Sequence, residues 1–175
     1  MGDLQVRTVT PDDWAVHRAV RLEMLTETPD AYWTTYADVA GFSEADWRER
    51  IASTTHVQAV RDGQVVGSAG LWDDPYQDGT AATLVAMYVR PAARGQAVGE
   101  ALVAAVLAEA ARRGRTRVEL EVTSSNEPAI RLYQRIGFSF NGTRTPHPRK
   151  PDLEELGMQI SLDPGVTTGG DDLGG

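Results

Sequence analysis

The chain has 175 residues, 41% of them apolar and 24% charged, with 17 basic against 25 acidic side chains and a net charge of −8. This is enough for one domain with a full core, and its acidic balance argues against nucleic-acid binding, which relies on basic residues to neutralise phosphates. Cysteine is absent, and His17, His56 and His147 show no metal-ligand spacing, so thiol chemistry, disulfides and a bound metal are not expected.

Leu4 to Val9 alternates apolar and polar residues, as a half-buried strand does. Thr10 then reads as a helix N-cap, with Pro11 at the first helical position and acids in the first turn. Trp14, Ala15, Ala19, Leu22 and Leu25 give that helix an apolar face, and it stops near Thr28-Pro29. Residues 30–42 form a connection rich in aromatics: Tyr32, Trp33, Tyr36 and Phe42. Ser43 caps a second helix to about Ala52, with Asp46 in the capping-box position. His56 to Arg61 and Gln64 to Trp72 read as two strands joined by a hairpin at Asp62-Gly63. A polar turn at 73–79 leads to a third β-rich run, Thr80 to Val89, ended by Arg90-Pro91.

Gln96 to Arg113 is a long alanine-rich helix with Val98, Leu102, Val106 and Ala110 on one face, stopped by Gly114. A strand at Thr116 to Thr123 and a short helix at Asn126 to Ile136 follow. Two last strands are expected at Phe138 to Gly142 and Leu153 to Leu162. Residues 1–162 read as one domain, and the Gly/Asp-rich segment 163–175 is expected to be a disordered tail. A long run of strands between helices predicts an α+β (mixed α/β) fold rather than a doubly wound parallel sheet.

No apolar run reaches the roughly 20 residues of a membrane span, and Met1 to Val6 carries no basic-then-apolar leader. A cytoplasmic protein is expected, with no membrane or nucleic-acid partner. Lys150 is the only lysine, and the arginine-, alanine- and glycine-rich composition fits a GC-rich bacterial genome.

The segment Leu84 to Leu102 carries the chemistry. A strand ends at a proline, and an Arg/Gly loop turns straight into a helix. Unpaired N–H groups and the macrodipole make such a helix start an anion cradle. Residues 90–117 hold six Arg against two Glu, so a phosphate-bearing ligand is expected there.

The loop Arg94-Gly95-Gln96-Ala97-Val98-Gly99 resembles the pyrophosphate loop of the GCN5-related N-acetyltransferases, with Ala97 where the family has a glycine. Val118 to Phe138, with Asn126, Ala129, Leu132-Tyr133 and Gly137-Phe138, resembles the family's next strand–helix segment. The Leu-Glu-Val…Leu-Tyr arrangement within it is similar to that of the ribosomal-protein N-terminal acetyltransferases.

The resemblance implies a central, mostly antiparallel mixed sheet of six to seven strands with about four helices. It also implies transfer of acetyl from acetyl-CoA to a primary amine by direct attack. Met87, Tyr88 and Val89, the loop Arg94, Gly95, Gln96, Ala97, Val98 and Gly99, and Asn126 would hold acetyl-CoA. Tyr133 would be the general acid and Glu121 the base. Tyr32, Trp33 and Tyr36, with Trp72, would wall the acceptor site, and His147 would border it. The acceptor could be a small-molecule amine or a protein amine, and a homodimer is compatible with the sequence. A non-catalytic acyl-CoA sensor and transfer of another acyl group stay open as alternatives. The acidic surface slightly favours a cationic acceptor.

Overall fold

The computed structural model of the chain describes residues 2–73 and 79–162. The expected tail at 163–175 and most of the polar turn after Trp72 lie outside these. In chain order the elements are β1 (Gln5–Thr8), α1 (Trp14–Glu27), α2 (Tyr36–Val39), α3 (Glu44–Ser53), β2 (Thr55–Arg61) and β3 (Gln64–Trp72). They continue with β4 (Ala81–Val89), α4 (Val98–Arg112), β5 (Arg117–Thr123), α5 (Glu127–Ile136), β6 (Ser139–Pro146) and β7 (Glu154–Ser161). The seven strands form one sheet in the order β1-β2-β3-β4-β5-β7-β6. Only the central pair, β4 with β5, is parallel. This is the α+β architecture expected from the order of elements, with the mixed, mostly antiparallel sheet that the resemblance implied.

Both faces of the sheet are covered. Val98, Leu102, Val103, Val106 and Ala110 of α4 pack on Ala59, Ala69, Leu84, Val118 and Leu120 of the sheet. Their spacing is that of one helical face, and burying it is what holds an amphipathic helix in place. On the opposite face Val20, Met24 and Leu25 of α1 meet Trp47 of α3, Val65 and Tyr88. Trp47 is fully buried.

The caps follow the sequence reading. The Ser43 hydroxyl accepts from the Asp46 N–H at 3.3 Å, and the Asp46 carboxylate accepts from the Ser43 N–H at 2.7 Å. Asp13 likewise accepts from the Thr10 N–H at 2.8 Å. The chain enters α1 through a 3-10 turn at Pro11–Asp13 rather than directly.

Three boundaries differ from expectation. The aromatic connection contains a 3-10 turn at Pro29–Ala31 and the one-turn helix α2, capped by Thr35. α4 begins at Val98, not Gln96, because Ala97 is left-handed (φ 60°, ψ 14°) and cannot join the helix. β6 continues past Gly142 to Pro146, re-pairing with β7 after a register irregularity between Phe140 and Arg144.

Candidate active site

The site begins with a break in the sheet. β4 and β5 pair only at Ala81–Arg117, Ala82–Val118 and Thr83–Glu119. Beyond Thr83, β4 bulges: its register with β3 shifts between Ser68 and Gly70, and Ala86 takes φ 53°. A bulge bends and twists its strand, so β4 leaves β5 while β5 stays paired to β7 as far as Thr123. A cleft of about 1430 Å³ opens between them, lined by Thr83 to Val89 on one wall and Glu119 to Thr123 on the other. The β5-facing peptide groups of β4 have no strand partner there.

The Arg/Gly loop closes one end of this cleft. Gly95 (φ 71°) and Ala97 turn the chain so that α4 starts at the seam. The N–H groups of Val98 and Gly99 belong to the unpaired first turn, at the positive end of the dipole, while that of Glu100 is met by its own carboxylate. Gly99 serves helix packing as well: a Cβ there would lie 2.8 Å from Leu132 Cδ2 of α5. Gln96 was expected in the cradle and does not line the cleft. Its amide donates to the Ala92 carbonyl at 2.9 Å, and its carbonyl accepts from Arg61.

A left-handed alanine costs roughly 1–2 kcal/mol that glycine avoids, partly offset by the greater freedom of glycine in the unfolded chain. Ala97→Gly is therefore expected to stabilise the fold by up to about 1 kcal/mol in urea unfolding. A loss of stability would mean that the methyl packs favourably.

The positive charge of residues 90–117 is distributed otherwise than the sequence suggested. Arg90 is held by Glu23 at 2.7 Å, Arg112 by Glu109, Arg113 and Arg115 by Asp73, and Arg117 by Glu119. Of the six, Arg94 lines the cleft. Its guanidinium is braced by Glu27 at 2.8 Å and the Val89 carbonyl at 3.0 Å. Arg131 and Arg135 of α5 also line it, which the sequence reading missed.

Asn126 caps α5, its side-chain oxygen accepting the Ala129 N–H at 3.3 Å. Two turns along, Tyr133 lines the cleft with only 5% of its surface exposed. Its ring packs 5.7 Å from that of Phe138, and its hydroxyl makes no hydrogen bond among the described residues. Burial, with a smaller effect from Tyr32, raises its pKa well above the usual phenol value, so it stays a neutral phenol throughout the physiological range.

Glu121 is exposed on the β5 wall, opposite Gly157 of β7, and makes no ion pair or hydrogen bond among the described residues. Glu119, on the same face, is tied to Arg117 at 2.6 Å.

The Tyr32 hydroxyl donates to the Met87 carbonyl at 2.8 Å, fixing the bulged part of β4. Tyr88 contributes to the wall but turns its phenol to Glu23 at 3.1 Å. Trp33 and Trp72 are exposed and line the cleft, whereas Tyr36, which starts α2, does not. His147 does not border the cleft either. It is buried, its Nε2 bonded to the Asp30 carbonyl at 2.8 Å and its Nδ1 accepting the Lys150 N–H at 3.0 Å. Three residues without a local sequence signal also line the cleft: Arg21 of α1, Arg50 of α3 and His56 of β2.

An open seam between two parallel strands, with a helix start at one end and a buried phenol beside it, suits an elongated anionic ligand. The acetyltransferase (GNAT) family model matches residues 18–138, and the chain belongs to that family. An uncharacterized N-acetyltransferase of Mycobacterium tuberculosis is 38% identical over 108 residues; the match covers 61% of this chain and 64% of that protein, just under two thirds of its length. The ribosomal-protein-alanine N-acetyltransferase of Brucella melitensis superposes with a TM-score of 0.74 at 26% identity, over 90% of this chain and 99% of that one. A putative acetyltransferase of Salmonella typhimurium, solved with its cofactor acetyl-CoA, gives 0.74 at 23% identity, over 92% and 95%. Among the described residues no helix is long and apolar enough to cross a membrane.

Proposed function

We propose that residues 1–162 form a single acyl-CoA-binding domain that moves an acetyl group from acetyl-CoA to a primary amine by direct attack. The observation that carries this reading is the β4–β5 seam, with the α4 start at one end and the neutral Tyr133 phenol in its wall. An extended pantetheine arm can pair with the free β4 edge as an added strand does. The amides of Val98 and Gly99 and the Arg94 guanidinium suit a pyrophosphate, and Asn126 would contact the arm.

The attack forms a C–N bond and breaks the C–S bond. The amine must first lose its ammonium proton, since alkyl amines with pKa about 10.4 are mostly charged at neutral pH. Glu121, unpaired on the cleft wall, is the candidate to take that proton, directly or through water. A β4 N–H beyond the bulge would polarise the thioester carbonyl, and Tyr133 would pass its proton to the departing thiolate as it takes up the proton the nitrogen loses on becoming an amide.

The test is thiol release from acetyl-CoA with a panel of small amines and peptide N-termini; no release with any acceptor would overturn transferase activity. Arg94→Ala removes a charge-assisted contact worth roughly 1.5–3 kcal/mol, so the acetyl-CoA Kd should rise about 10- to 150-fold. Unchanged affinity by calorimetry would remove the pyrophosphate from this loop.

A further inference from the structure

We infer that the acceptor is an amine carrying a carboxylate, of the amino-acid class, and that Arg21 and Arg50 bind that carboxylate. The inference rests on the acyl-transfer reading above and names the substrate class for the same cleft.

Arg21 is 7% exposed, yet it lines the cleft. Among the described residues its guanidinium makes one weak hydrogen bond, to Met24 Sδ at 3.6 Å, and its Nε has no partner. A buried guanidinium without a carboxylate is costly, and proteins rarely keep one without a use. Its surroundings deepen the need. Arg50 lines the same wall and makes no side-chain hydrogen bond or ion pair among the described residues. Burial, then the charge of Arg50, lowers the Arg21 pKa to about 10.

The acids of α1 cannot answer it: Glu23 is bound by Arg90 and Glu27 by Arg94. Next to Arg21 sits the His17–His56 pair, rings 4.5 Å apart, whose four ring nitrogens are buried without partners. His56 lines the cleft and adds a further polar edge to this corner.

The corner is also near the chemistry. The Arg21 guanidinium lies 5.6 Å from the centre of the Tyr32 ring. Tyr32 holds the bulged β4 through Met87 and is close enough to Tyr133 to influence its phenol. A planar carboxylate fits a guanidinium by paired hydrogen bonds. The opposite charge of such a ligand has a counterpart too. Of the cleft acids Glu100, Glu119 and Glu121, the first two are ion-paired and Glu121 is not. A zwitterion, with its carboxylate on Arg21 and its ammonium free to reach a base, matches this pattern. The slight preference for a purely cationic acceptor, read from net charge, is replaced by this local demand for an anion.

The experiment uses the full chain with CoA present. Each of the twenty protein amino acids is titrated by calorimetry beside its amide, its decarboxylated amine and a tripeptide beginning with the same residue. The best free amino acid should bind about tenfold or more tighter than its amide, amine and tripeptide. Arg21→Met and Arg50→Met should each erase that ratio, and Arg21→Met should unfold at a Tm no lower than the wild type. Equal binding of acid and amide, or a ratio that survives both substitutions, overturns the inference. Preference for the tripeptides also overturns it, in favour of a protein N-terminus. Because binding is read directly, a protein that releases no thiol with any acceptor would refute the transferase reading and still report on the carboxylate site.

Discussion

Replacing Tyr133 by phenylalanine should lower kcat by at least tenfold while leaving the acetyl-CoA Kd within about twofold. General acid help of this kind contributes typically about 10²–10⁴ in rate. The substitution removes one oxygen that makes no hydrogen bond among the described residues, and the packing of the ring on Phe138 stays. Neither fold nor cofactor affinity has reason to change. The phenol is kept neutral by burial, whereas a thiolate leaving group has a conjugate-acid pKa of about 8.5. Tyr133 can therefore lend its hydrogen bond at every physiological pH. The measurement is paired, with cofactor titration and thiol release on the same sample. If kcat survives intact with a good acceptor, the acid is water or another group, and Tyr133 serves only to pack.

The second large effect is on stability. Burial, reinforced by Arg21 and Arg50, lowers the pKa of His17 to about 4. Burial and the charges of His17, Arg21 and Arg50 lower that of His56 to about 2. Both stay neutral in the fold, while in the unfolded chain they take protons near pH 6.5. Below that point the unfolded state binds more protons, so stability falls with pH, down to about pH 4 for His17 and about pH 2 for His56. At pH 5 each histidine should have cost about 2 kcal/mol, about 4 kcal/mol together. Glu155 works in the opposite sense, since burial raises its pKa and protonation there favours the fold. The decisive comparison is therefore between wild type and His17→Leu, by urea unfolding at pH 7.5 and pH 5. The variant should lose clearly less than the wild type between the two. Equal losses would show that His17 is protonated in the fold.

What was legible in the sequence was local. The caps at Ser43 and Asn126, the hairpin after Arg61 and the glycine-bearing loop before α4 are each written within a few consecutive residues, and they lie where periodicity and turn chemistry put them. The bulge that opens the sheet was not legible from residue types. Ala86 sits in an unbroken apolar run, and nothing in alanine announces a left-handed backbone. Charge misled for a related reason. Six arginines within 28 residues look like one basic surface, but several find partners outside that stretch: Glu23 for Arg90, and Asp73 for Arg113 and Arg115. The burial of His147, expected beside the acceptor site, was not legible because its clasp on the Asp30 carbonyl joins segments 117 residues apart. Arg21 reads as an ordinary polar position on α1, and its burial follows only from where α3 and β2 pack.

The short pairing of β4 with β5 has a mechanical meaning. The sheet is two half-sheets, β1 to β4 and β5 to β7, stitched by three residue pairs and backed by α4. An acyl donor lying in the seam would touch both halves and stand in for the missing rungs of the ladder. Binding would then act as a rivet as well as a reaction step. Any ligand that favours the folded form adds stability with its concentration, about 2.7 kcal/mol at a hundred times its Kd. In this chain that gain would fall on the joint between the halves, where the ladder is only three pairs long.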